Sequence, residues 1–182
     1  MRSFIAIEIE KNVLDEARKV INDFRNLEID VKFVEPDNLH LTLKFLGEIS
    51  ENDVKIISDN ISDVCKGVKK FKISFKGVSF FGSKNRIRTL WVGVERGYED
   101  FIFLSKCIDA KIDFKKNVNH SPHLTIGRVK SGRNMELMLE KIDKYDNVNI
   151  GEMEVNSVKL KKSTLTPKGP IYEDVSTFYL TC

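Results

Sequence analysis

Cysteine, proline, histidine and long apolar runs are all in short supply in this chain, and each shortage excludes something. The three cysteines, Cys65, Cys107 and Cys182, are an odd number without Cys-x-x-Cys spacing. They exclude a disulfide frame and a zinc site, and they predict reduced thiols in a cytoplasmic protein. No apolar run approaches the roughly 20 residues that span a bilayer, so no membrane partner is expected. The opening MRSFIAIEIEKNV has a short apolar stretch broken by Glu8 and closed by Glu10, which predicts a first β-strand rather than a signal peptide. Charge of one sign is not in large excess either: 30 Lys and Arg stand against 27 Asp and Glu, a formal +3. That permits an anionic ligand without the clustered excess of a general polyanion binder. With four prolines, no low-complexity segment and no Pro/Ser linker, nothing marks an internal boundary, and residues 1–182 read as a single domain. No cofactor and no obligatory protein partner is signalled.

What is present is patterned apolar residue, 41% hydrophobic against 31% charged, as in an ordinary globular protein. β-type patterning predicts strands at 3–9, 31–34, 39–46, 71–80, 89–94, 123–129, 153–160 and 172–180. Helical spacing predicts four helices. Val13, Leu14, Ala17, Val20, Ile21 and Phe24 share one face; Val54, Ile57, Ile61 and Val64 share a second, opened by a Ser50-x-x-Asp53 cap and closed by Gly67. Phe101, Leu104, Ser105, Ile108 and Ile112 make the third, and Met135, Met138, Leu139 and Ile142 the fourth. Helices falling between groups of strands predict an α+β fold with mostly antiparallel sheet.

Two of the three histidines lie in near-copies of one tetrapeptide, His40-Leu41-Thr42-Leu43 and His123-Leu124-Thr125-Ile126, at an offset of 83 for both members of the pair (40 to 123, 42 to 125). One copy in each half predicts two similar lobes facing each other. On a strand, side chains alternate faces. That puts His40, Thr42 and Lys44 on one face and Leu39, Leu41, Leu43 and Phe45 on the core face. In the second copy His123, Thr125 and Gly127 oppose Leu124 and Ile126. Imidazole titrates near neutrality, so one histidine can act as base while the other acts as acid. Each threonine hydroxyl can donate to an anionic oxygen. Two such pairs across one anion suit in-line displacement at phosphorus, and no metal is required if histidine protonates the leaving oxygen.

Rival readings fail on particulars. No serine sits in a Gly-x-Ser-x-Gly elbow. His120 and His123 could be read as a metal pair, but Pro122 prevents helical geometry and no Cys or carboxylate cluster accompanies them. A lone strand histidine is more often structural than catalytic; two copies matched in spacing, face and apolar companions favour function.

These residues resemble the 2H phosphoesterase superfamily, and within it the bacterial and archaeal RNA 2',3'-cyclic phosphodiesterases, historically called 2'-5' RNA ligases. VEPDNLHLTLKFLGE and SPHLTIGRVK are similar to the two motifs, MRSFIAIEI to the opening strand, RTLWVGV to the middle strand, and LKKSTLTPKGPIYEDV to the closing hairpin. The resemblance implies two pseudo-symmetric lobes, with mostly antiparallel sheets flanking a central cleft and helices outside. It implies that RNA ends or nucleotides bearing a 2',3'-cyclic phosphate are opened to the 2'-phosphate, with His40 as proton donor to the 3'-oxygen and His123 as the base for water. Thr42 and Thr125 would hold the non-bridging oxygens. With a 5'-hydroxyl end in water's place the same site would make a 2'-5' linkage. The alternatives are a non-catalytic nucleotide or RNA-end binding module, and a 2H phosphodiesterase acting on 2'-5' oligonucleotides or another small cyclic phosphate.

Further candidates surround the phosphate. Lys44 shares the face of His40 by parity, and a solvated strand lysine is the competing reading. Arg128, which the resemblance also favours, reaches the cleft only if Gly127 forms a bulge. Arg86 and Arg88 line the cleft or face solvent. Phe33, Phe80, Phe81 and Trp91 are base-stacking candidates, with core packing the better expectation for most of them.

Overall fold

The computed structural model describes residues 1–114 and 119–182. Two antiparallel sheets organise it. The first runs in the order β3 (His40–Glu48), β1 (Arg2–Glu8), β8 (Ser157–Thr166), β9 (Gly169–Tyr179). The second runs β2 (Val31–Phe33), β6 (Leu124–Val129), β5 (Arg86–Val94), β4 (Phe71–Ser83), β7 (Asn149–Val155). Apolar helix faces cover them. Helix α1 (Lys11–Arg25) buries Val13, Ala17, Val20, Ile21 and Phe24 and packs on β7. Helices α2 (Glu51–Lys66) and α3 (Tyr98–Lys111) pack on each other, α2 reaching β8 and β9 and α3 reaching β3. Helix α4 (Met135–Lys144) lies against β4. The predicted Ser50 cap forms as a full capping box: Asp53 N–H donates to Ser50 Oγ at 3.2 Å and Ser50 N–H to Asp53 Oδ2 at 2.8 Å. Among the described residues no helix is long and apolar enough to cross a membrane.

The chain weaves between the sheets. It leaves β1 for β2, returns to β3, crosses to β4, and comes back for β8 and β9. The last crossing corrects a sequence expectation. The apolar run 153–160 reads as one strand, but it is the end of β7 and the start of β8, in different sheets, with Asn156 between them. The phase records the change: Met153 and Val155 are buried, then Val158 and Leu160, so the two-residue alternation slips by one at the crossing.

Candidate active site

β3 is an edge of the first sheet and β6 lies near an edge of the second, and the two strands come into contact. A buried residue, Leu39 or Pro122, anchors the chain just before each histidine. Both imidazoles are then fixed alike. His40 Nδ1 lies 2.7 Å from the Asn38 carbonyl, and His123 Nδ1 lies 3.0 Å from the Ser121 carbonyl. A carbonyl only accepts, so each Nδ1 carries a proton and donates it. Nε2 is then the second polar atom of each ring, an acceptor in the neutral ring and a donor in the charged one.

Aromatic rings wall both sides. Phe4 is 4.8 Å and Tyr172 5.4 Å from the His40 ring, the latter edge-on at 87°. Phe81 is 4.9 Å and Trp91 6.3 Å from the His123 ring. Thr42 and Thr125 are half-buried beside them. Burial pushes the pKa of both histidines down. The backbone hydrogen bonds oppose that shift, while Lys161 and the partner histidine lower His40 further and Arg128 lowers His123 further.

Two bulges reshape the expected parity. In the β1–β3 ladder Ala6 opposes Thr42, but Ile5 opposes Lys44, leaving Leu43 as the extra residue. Lys44 therefore shares the face of the fully buried Ile5 rather than that of His40; it is itself 0% exposed and paired with Asp109. Phe45, expected in the core, opposes Phe4 and is 56% exposed. The second motif repeats the device. Trp91 opposes Thr125 and Leu90 opposes Gly127, so Ile126 is extra. Arg128 then opposes Thr89 and is exposed, close enough for its charge to act on His123 and Tyr172. Gly127 is needed there because a Cβ would sit 2.6 Å from Val31 Cγ1 and 3.2 Å from Phe33 Cδ1.

The remaining candidates divide. Phe33 and Phe80 pack against the core, whereas Phe81 and Trp91 meet His123. Arg86 and Arg88 are exposed and line a shallow depression with Gly82 and Ser83 at the β4–β5 hairpin. His120 turns away from His123 to Ser105. Among the described residues no group of three or more His, Cys, Asp or Glu side chains is arranged to hold a metal.

Sequence reasoning missed the cavity wall beside His40. There Glu8, Asp37, Asn38, Lys161 and Tyr172 enclose a cleft of about 190 Å³ with His40 at its rim. Lys161 Nζ reaches Glu8 and Asp174, both at 2.8 Å, and Lys159 reaches the same two carboxylates. Burial would raise those carboxyls, but hydrogen bonds from the two lysines outweigh it and hold both below the usual range. The only sequence signal was the Lys159-x-Lys161 alternation, whose partners lie on β1 and β9.

The match to known proteins is extensive. A model of the family described as "LigT like Phosphoesterase" matches residues 7–91 and 99–172. A Methanothermobacter thermautotrophicus protein named RNA 2',3'-cyclic phosphodiesterase is 38% identical, covering 99% of each chain. A Methanocaldococcus jannaschii protein of the same name is 41% identical, over 95% of this chain and 97% of its own. In three dimensions a crystal structure from Thermus thermophilus superposes with a TM-score of 0.83 at 25% identity, covering 99% of this chain and 98% of that one. The Escherichia coli LigT structure in complex with 3'-AMP shares the fold at a TM-score of 0.73 and 20% identity, covering 100% of this chain and 98% of that one. Paired His-x-Thr strands set in this fold, and a family match over most of the chain, have one reading: the chain belongs to the LigT-like phosphoesterases.

Proposed function

We propose that this protein hydrolyses RNA 2',3'-cyclic phosphate ends to 2'-phosphates without a metal. The observation that carries the reading is the matched pair of imidazoles, each tied at Nδ1. A module that only bound nucleotides would have no use for two proton-transfer groups fixed in one tautomer. The names of the archaeal relatives supply the substrate class. His123 Nε2 takes a proton from water as its oxygen attacks phosphorus. The bond from phosphorus to the 3'-oxygen breaks, and His40 Nε2–H protonates that oxygen. Thr42 and Thr125 donate to the non-bridging oxygens, and Arg128 adds positive charge beside them. A 5'-hydroxyl RNA end in place of water gives a 2'-5' linkage. Its cysteines, free among the described residues, suit a reducing, cytoplasmic setting.

The deciding experiment is incubation of EDTA-treated protein with RNA bearing a 2',3'-cyclic end, followed by identification of the product terminus. Hydrolysis to the 2'-phosphate is expected to survive excess chelator. Complete loss, restored by a divalent ion, overturns the two-histidine mechanism.

The pKa directions make a second prediction. Turnover needs His123 neutral and His40 protonated. In the free protein both histidines titrate below their usual 6.5, chiefly because they are buried. An anionic phosphate between them favours both charged forms and raises both values. The bell for kcat, which reports the complex, is therefore expected on the alkaline side of the bell for kcat/KM, which reports the free enzyme. Superimposable bells would place the phosphate elsewhere.

The threonines are expected to behave differently. Alanine at Thr42 or Thr125 removes one hydrogen bond to a charged group, a loss of about 1–3 kcal/mol. Turnover falls accordingly with both pH limbs unmoved, and serine, which keeps the hydroxyl, recovers most of it. A displaced limb would assign the threonine a role in proton transfer.

A further inference from the structure

Behind the two motifs lies a polar cluster, buried at Ser105 and Lys44 and half-buried elsewhere, that the chemistry above does not use. One face of α3 carries it. Tyr98 Oη lies 2.9 Å from Ser121 Oγ. Ser105, 1% exposed, donates to the Leu43 carbonyl at 3.2 Å and lies 2.9 Å from His120 Nδ1. A hydroxyl has one proton, and the carbonyl can only accept it, so His120 Nδ1–H donates back to Ser105 Oγ. Asp109 pairs with the buried Lys44, and its second oxygen lies 3.9 Å from His120 Nε2.

These contacts land beside groups that the mechanism needs. Leu43 and Lys44 are the bulge that follows Thr42. Ser121 supplies the carbonyl that holds His123 Nδ1. His120 starts the segment that leads into the second motif. Apolar side chains would attach α3 to the strands at no desolvation cost, whereas buried polar groups cost free energy unless every partner is met. What hydrogen bonds add over apolar packing is direction. We propose that Tyr98, Ser105 and Asp109 are positioning residues through which α3 fixes the two motif strands relative to each other, so that both Nε2 atoms address one phosphorus. This inference rests on the phosphodiesterase reading above.

The test uses the full-length protein with Tyr98→Phe and Ser105→Ala, which remove hydrogen bonds with little change of shape. Kinetics on the cyclic-phosphate RNA are measured well below the melting temperature, and the ring nitrogens of the histidines are followed by NMR. With Tyr98→Phe, kcat is expected to fall about 10-fold with KM nearly constant, as for a small misplacement of reacting groups. The His123 ring is expected to move from Nδ1–H towards a mixture of tautomers while His40 keeps its own. Lower melting temperatures with kcat and ring spectra unchanged would reduce the cluster to a structural support and overturn the proposal. Should Ser105→Ala fail to fold, Tyr98→Phe, on a half-buried side chain, still decides. If the unaltered protein does not open cyclic phosphates, the functional reading fails by itself, and the His123 tautomer still judges the brace.

Discussion

A nitrophenyl phosphodiester is expected to restore much of the lost activity to His40→Ala and none to His123→Ala. On the RNA substrate each alanine variant loses roughly 100-fold or more, the usual contribution of a positioned general acid or base. The two losses have different causes. Without His40 the 3'-oxygen must leave unprotonated, and a nitrophenolate, already a weak base, leaves without that help. Without His123 water keeps its proton whatever the leaving group. Both rings are half-buried rather than part of the fully buried core, so neither change should unfold the protein. Equal rescue of the two variants would reverse or dissolve the assignment of acid and base. An unfolded variant would instead favour a structural role for that histidine.

Asp109→Ala is expected to be the most destabilising single change considered, at about 3–5 kcal/mol, because it leaves Lys44 buried without its carboxylate. For a chain of this size that corresponds to a fall in melting temperature on the order of 10 °C. The double variant Lys44→Met/Asp109→Leu replaces the ion pair with apolar packing and is expected to recover most of the stability, since buried pairs exchanged for hydrophobic contacts are often neutral. Denaturant unfolding of the two variants checks the pair. A single variant as stable as the parent would mean that water or another group reaches Lys44. A double variant that is stable yet slow in turnover would separate the holding of the fold from the holding of the site.

The sequence made some of this legible because certain signals are local. The helix faces of α1 and α2, the Ser50 capping box and the alternation on β3 and β6 arise within a few residues of chain. So does the pairing of His40 with Thr42 and of His123 with Thr125. Parity failed two residues after Thr42, because a bulge is written in the partner strand's register as much as in its own. Lys44 turned inward and Phe45 outward as a result. At the second motif a bulge at Gly127 is only a condition for Arg128 to reach the cleft, flagged by glycine in a strand, and the extra residue is the neighbouring Ile126. The break at Asn156 was hidden by an unbroken run of β-type residues, and only a one-residue slip of phase betrays it. Phe4, Tyr172 and the contacts of the α3 cluster had no local signature, and the Lys159-x-Lys161 alternation did not name its partners, because each meets them from a distant part of the chain.

The weaving of the sheets bears on how the protein is born. Strand β1 is made first, and β3 can cover one of its edges early, but its other edge pairs with β8, Ser3 opposite Lys162. At ribosomal speeds of about 5–20 residues per second, that second edge stays open for roughly 8–30 s. During that time a short apolar strand with unpaired amides is a template for any neighbouring nascent chain. The wall beside His40 is likewise unfinished until Lys161, Tyr172 and Asp174 emerge. A translational pause between residues 94 and 157 would therefore lengthen the life of an aggregation-prone half-sheet. Synonymous codon changes in that stretch are expected to alter soluble yield while leaving the specific activity of the finished enzyme untouched.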